Sequence, residues 1–170
     1  MSLSRMLTAK AFWQYACEKY AQPEVKKACL FLQDSYQAQV NIVLLAMYMG
    51  SENSPLSGQH LLVLHKHVRH ANETIVAHRE ARRSLKEQDD KKYQLALQQE
   101  LRMEQALQKE LIAGLKILPC SNASSYAQNN LLSSALNEYV EGLMAVYAGL
   151  QKHNQGDKRL QAALNILENV

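Results

Sequence analysis

Between Val40 and Gly50 the chain reads Val-Asn-Ile-Val-Leu-Leu-Ala-Met-Tyr-Met-Gly, with Asn41 as its one strongly polar side chain. Wound as a helix, this run is apolar on every side. Such a helix has to be covered by protein all round. It is also far short of the roughly 20 residues that span a bilayer. The run predicts the central helix of an all-α protein, beginning near Ala38 and ending at Gly50. Turn formers are scarce: 6 Gly and 3 Pro leave little material for a many-stranded sheet.

Helical spacing accounts for most of the remaining chain. Thr8 is placed to cap a first helix reaching about Tyr20, with Phe12, Trp13, Ala16 and Tyr20 on one face and Trp13 as a core anchor. Pro23 and Glu24 suit the first turn of a second helix, whose apolar face is Val25, Ala28, Cys29 and Leu32. Gln33-Asp34-Ser35 reads as a polar interruption. Ser57 caps a bent helix over about 58–86, with Leu61, Leu64, Val68, Ala71, Ile75 and Val76 inward. A long helix follows from about Lys91 to Leu118, stopped by Pro119, with Tyr93, Leu97, Leu101, Leu107, Leu111 and Leu115 inward. Residues 120–128 read as a surface loop. Leu132, Leu136, Tyr139, Leu143, Val146 and Leu150 alternate steps of four and three, a heptad seam that suits a core or a homodimer interface. Gly156 ends that helix, and Asp157 caps a last one. The expected architecture is a single bundle-like domain over 1–170, of about six to seven helices, with residues 1–7 a loose tail.

Charge and cysteine usage bound the setting. The net charge of +3 is too small to draw the whole protein to nucleic acid or acidic membrane. Cys17, Cys29 and Cys120 are odd in number and lack a CxxC spacing. Cys17 and Cys29 fall in apolar helical patterns, as free thiols of a reducing compartment do. The first residues lack the apolar run of a signal peptide, and no segment reaches transmembrane length. A cytoplasmic location, with no membrane contact, is the expectation.

Two blocks have a familiar look. The first is Phe12-Trp13-x-Tyr15-Ala16, Tyr20, Pro23-x-Val25 and Ala28-Cys29-Leu30-x-Leu32-Gln33-Asp34, followed by Val40-Asn41. The second is Arg79-x-x-Arg82-Arg83-x-Leu85-Lys86, followed by a helix with Glu100 and Glu104. Together they resemble a family of short bacterial proteins defined only as a domain of unknown function. The likeness covers Phe12 to Met49 and His78 to about Leu111. It departs at Ala38, Gln39 and His78, where the pattern carries Gly, an acidic residue and Leu. The resemblance implies a bacterial, all-helical, cytoplasmic protein and brings no activity with it.

The most specific constellation is basic. Arg79, Arg82, Arg83 and Lys86 stand at i, i+3, i+4 and i+7, on one side of a helix. Exposed, they would form an anion or partner site. Turned inward, they would pair with Glu100 and Glu104 on the next, antiparallel helix, and Arg82 is the one the register places at the core boundary. Gln33, Asp34 and Asn41 flank the apolar run. They either line a small polar pocket with an arginine or form a structural network. His60, His67 and His70 lack the converging ligands of a metal centre and read as solvated, so no metal and no cofactor are expected. No nucleophile elbow, phosphate loop or catalytic triad is present.

Three functional readings follow. The first is a non-catalytic interaction or regulatory protein that meets a protein partner through a helix face. The second is a nucleic-acid binder, weak at best, using the His60–Lys86 surface. The third is an enzyme or carrier with a small anionic-ligand pocket around Asp34, Asn41 and Arg82.

Overall fold

The helix starts are written in the capping residues. Thr8 accepts a hydrogen bond from the Ala11 amide and opens α1, Ala9–Tyr20. Pro23 occupies the first turn of α2, Pro23–Tyr36. Ser57 and His60 form a reciprocal capping box at the start of α4, Gly58–His67. Asp89 and Asp157 cap α6, Asp90–Gly114, and α8, Lys158–Glu168. The other helices are α3, Val40–Ser51; α5, Arg69–Leu85; and α7, Leu131–Val146. A short 3-10 turn, Leu115–Ile117, continues α6. This computed structural model describes residues 7–118, 131–147 and 157–170, and the fold is all-α: no strand occurs among the described residues.

α3 is the centre. Ile42 to Met49 are all buried, and α1, α2, α4 and α7 pack on it. α5 lies along α6, joined by a short connection, and α8 packs on α2 and α7. α4 packs closely on α7. A Cβ on Gly58 would run into the Cβ of Glu138, so that position needs glycine for the helices to close, whereas one on Gly142 would require only the Leu62 side chain to move aside. The Gly58 amide also donates to Glu138 Oε2 at 2.9 Å.

Several expectations are corrected. Gln33-Asp34-Ser35 is helical, and the break falls at Gln37, which takes the left-handed conformation with φ 59°. Phe12 is the buried aromatic of α1, stacked on Tyr48 at 5.5 Å, whereas Trp13 is only half-buried. Cys17 is exposed. Val76 and Leu101 face outward, at 42% and 52% exposure. On α6 Leu107 and Leu111 are buried as expected, and Ala96 and Gln108 join them on the inward stripe. Leu7, placed in the tail, packs against the core.

The heptad seam is intramolecular. Leu136, Tyr139 and Leu143 are fully buried against the chain's own helices, so that face is not available to a second copy, and Val146 at the helix end is exposed. Residues 1–6, the 120–128 loop with Cys120, Pro119, Leu150 and Gly156 lie outside the described residues. No helix among the described residues is long and apolar enough to cross a membrane.

Candidate functional site

The basic stripe is divided by the helix turn. Adjacent helical positions point about 100° apart, so Arg82 and Arg83 cannot share a partner. Arg82 turns in. Its Nε donates to Glu100 Oε2 at 2.5 Å, its Nη1 meets the Tyr93 hydroxyl at 3.2 Å, and its guanidinium lies 5.5 Å from the Tyr93 ring centre. Arg79 bridges two carboxylates, Nε to Glu100 at 3.0 Å and Nη2 to Glu104 at 2.8 Å. The Arg82 side chain is 14% exposed and that of Arg79 27%, so Arg82 is the more deeply committed. Arg83 and Lys86 are exposed.

The ion pairs run on into α3. Asn41 Nδ2 donates to Glu104 Oε2 at 2.5 Å, and Gln108 Nε2 donates to Asn41 Oδ1 at 2.7 Å. One polar string thus joins α5, α6 and α3, and it is what the single polar residue of the apolar run is for. The carboxylates respond oppositely. Burial pushes Glu100 up, but bonding to Arg82 and Arg79 more than reverses this, leaving it below its usual range. Burial dominates at Glu104, which ends above its usual range despite Asn41 and Arg79. The far end of Gln108, Oε1, is buried without a partner, and nothing in the structure explains it.

Gln33 and Asp34 do not join this string. They line a recess of about 480 Å³ on the other side of α5, bounded by the end of α2, the start of α3 and Tyr147. Arg79 and Arg83 reach its edge. The pocket expected around Asp34, Asn41 and Arg82 is therefore split: Asp34 faces the recess, while Asn41 and Arg82 are used in the helix contacts.

A second buried string, not singled out by the sequence, ends at this recess. His65 is 7% exposed. Its Nδ1 is 2.7 Å from the Tyr139 hydroxyl and its Nε2 is 3.0 Å from the Tyr147 hydroxyl. The Gln39 amide donates to the Tyr139 oxygen at 3.3 Å. Proton counting sets the tautomer. The fully buried Tyr139 hydroxyl accepts from Gln39, so its own hydrogen needs His65 Nδ1. The ring proton is then on Nε2 and is donated to Tyr147. Reversing the order would strand the Tyr139 hydrogen at a cost of about 1–3 kcal/mol. The Tyr147 hydroxyl hydrogen is left without an acceptor among the described residues. At the Tyr139 end of the string, Gln39 is 6% exposed and its Oε1 is buried with no hydrogen-bond partner.

The other histidines divide. His60, expected in solvent, is buried, and its Nδ1 accepts from the Ser57 amide. His67 and His70 are exposed. His78 Nε2 lies 2.9 Å from the Ala96 carbonyl and ties α5 to α6. No group of three or more His, Cys, Asp or Glu among the described residues is arranged to hold a metal ion.

Burial, with a smaller contribution from Arg69, pulls His65 down from 6.5 to about 4. The unfolded chain therefore binds a proton near pH 6.5 that the folded one refuses until about pH 4. Stability falls as pH drops through that window. Between pH 6.5 and about pH 5 the loss from His65 alone is about 1.6 kcal/mol, opposed by Glu104, whose raised carboxyl takes up its proton more readily in the folded chain. Urea midpoints across this interval should show the slope in the parent and a flatter one in His65→Gln; parallel profiles would contradict it.

Fold and sites together define an all-helical protein with an internally paired charged seam and a polar recess beside it. The family model described as protein of unknown function (DUF2390) matches residues 11–111, and the chain belongs to that family. The two motif blocks resembling a domain of unknown function fall within this match. No curated protein and no solved structure matches the chain.

Proposed function

We propose that this is a non-catalytic interaction protein of the bacterial cytoplasm, meeting a protein partner through the outer face of α5. The observation that carries the reading is the direction of the charges. Arg79 and Arg82 are occupied by Glu100 and Glu104, which removes the two strongest members from any exposed basic stripe. The exposed charges of α5 are mixed in sign, two of each: Arg69, Glu73, Glu80 and Arg83, with Arg69 and Glu73 paired at 2.8 Å. Val76 lies exposed among them. A mixed-sign surface around an apolar residue suits another protein. A polyanion would favour cations gathered on one side. The cytoplasmic part of the proposal is supported by free Cys17 and Cys29; burial pushes the Cys29 thiol up to about 12, which keeps it inert.

The second reading, nucleic-acid binding, is favoured by the exposed cations Lys66, Arg83 and Lys86 within the His60–Lys86 surface. Three contacts would give only weak binding, falling steeply with salt. The test is affinity capture at native level, with mass spectrometry and sequencing of bound RNA, comparing the parent with a Val76→Glu, Arg83→Glu double variant. A protein held by the parent and lost by the folded variant is the expected result. Capture insensitive to the variant would overturn the α5 assignment. RNA binding at micromolar strength or tighter in physiological salt, abolished by Arg83→Glu, would move it to the second reading.

A further inference from the structure

We propose that the protein partner of the outer α5 face is a second copy of this chain, bound through an antiparallel pairing of the two α5 helices. The proposal rests on the protein-partner reading and names the partner. α5 packs along α6 and leaves most of itself outside: of its 17 residues only Ile75 is buried. Arg69, Glu73, Val76, Glu80 and Arg83 are all exposed and stand at steps of four and three, and the exposed Glu87 follows in the turn beyond the helix. Residues at that spacing form one stripe along a helix. The five helical members of the stripe form one wall of the recess, and Gln33, Asp34 and Tyr147 stand on the other, so a second helix laid along α5 is met on two sides.

The order of the charges selects the partner. Along the stripe it reads positive, negative, apolar, negative, positive, negative. A parallel copy sets each charge against its like. So does an antiparallel copy centred on Val76, which sets Arg69 against Arg83 and Glu73 against Glu80. An antiparallel copy centred on His78 sets Arg83 against Glu73 and Arg69 against Glu87, and the twofold axis repeats both pairs. Val76 then lies against the methylenes of Glu80. Arg83 and Glu87 have no ion pair among the described residues, and the Arg69–Glu73 pair is exposed, 68% and 55%, so all four are free to turn to a second copy. Charges matched in this way fix partner and register more than they add affinity. A contact one helix long, about 25 Å, is at the small end for a stable complex, so the dimer is weak, and salt weakens it further.

The test is sedimentation of the full chain at rising concentration, in low and in high salt. The expected result is a monomer–dimer equilibrium with a dissociation constant on the order of 100 μM in low salt, weakened at least about threefold in high salt. Arg83→Glu and Glu73→Arg should each abolish the dimer, because each sets like charges face to face. Mixed in equal amounts, the two variants should associate with each other as the parent does with itself, since every facing pair between them is then of opposite sign. Both positions are exposed, and melting curves matching the parent confirm that both variants fold. A chain that stays monomeric at about 1 mM in low salt overturns the proposal. If affinity capture is lost all the same in the Val76→Glu, Arg83→Glu variant, the α5 face stands with another protein as its partner; if capture persists, the α5 reading falls too. A dimer that neither single variant weakens, or variants that stay apart when mixed, also overturn the proposal.

Discussion

Leu45→Ala should lower the unfolding free energy by about 3–4 kcal/mol, the largest single effect expected outside the charged seam. Leu45 is fully buried, and its helix is covered by α1, α2, α4 and α7. Deleting its three carbons removes their transfer free energy and leaves a space that four packed helices cannot close together. Against the roughly 5–15 kcal/mol that holds a native domain, that is a large share. Urea denaturation with unchanged slope and a shifted midpoint is the readout. A cost below about 1 kcal/mol would mean that one side of α3 is not covered, and the architecture would have to be redrawn.

Arg82→Ala should cost about 2–3 kcal/mol, whereas Lys86→Ala should stay within about 0.5 kcal/mol of the parent. Lys86 is the C-cap of α5, one turn beyond Arg82, so the two variants compare a paired and an unpaired cation at the same end of the helix. Arg82 gives up its bond to Glu100, its contact with the Tyr93 hydroxyl and its position against the Tyr93 ring. Glu100 is then left partly buried beside a single cation. Arg79 still reaches it at 3.0 Å, which keeps the cost below that of a wholly stranded buried charge, on the order of 3–5 kcal/mol. Lys86 is exposed at the end of α5 and has no ion pair to lose. Thermal or urea melts of the two variants, side by side, check the ordering.

How far the sequence speaks depends on the range of the interaction. Caps are local, and Thr8, Ser57 and Asp157 act where their spacing to the first apolar residue puts them. The covered helix is legible because eight consecutive apolar residues admit no other arrangement. Arg82 and Glu100 are 18 residues apart, but a short connection between two long helices brings them together, so that pairing is readable. Asn41 and Glu104 are 63 apart on helices that do not follow one another, and spacing carries no information about them.

The same limit hid the His65 string. Its bonds span 74 and 82 residues. A trace was present, since His65 falls on the stripe of Leu61, Leu64 and Val68 and Tyr139 falls in the heptad seam. A histidine and a tyrosine on inward positions are a reason to look for a partner. Trp13 and Leu101 failed for a different reason. Each fits an inward helical stripe by spacing, but burial falls on the other members of those stripes, Phe12 and Leu107, which the same spacing also turns inward.

The claim on which the functional reading turns is that Arg79 and Arg82 serve the fold and not an anion. A double-mutant cycle on Arg82→Met and Glu100→Leu measures it most directly. Each single change should cost clearly, because each strands a charge, and the double variant should cost at least about 1 kcal/mol less than the sum of the two. Two silent single variants with no coupling would contradict the account and return Arg82 to an exposed anion site.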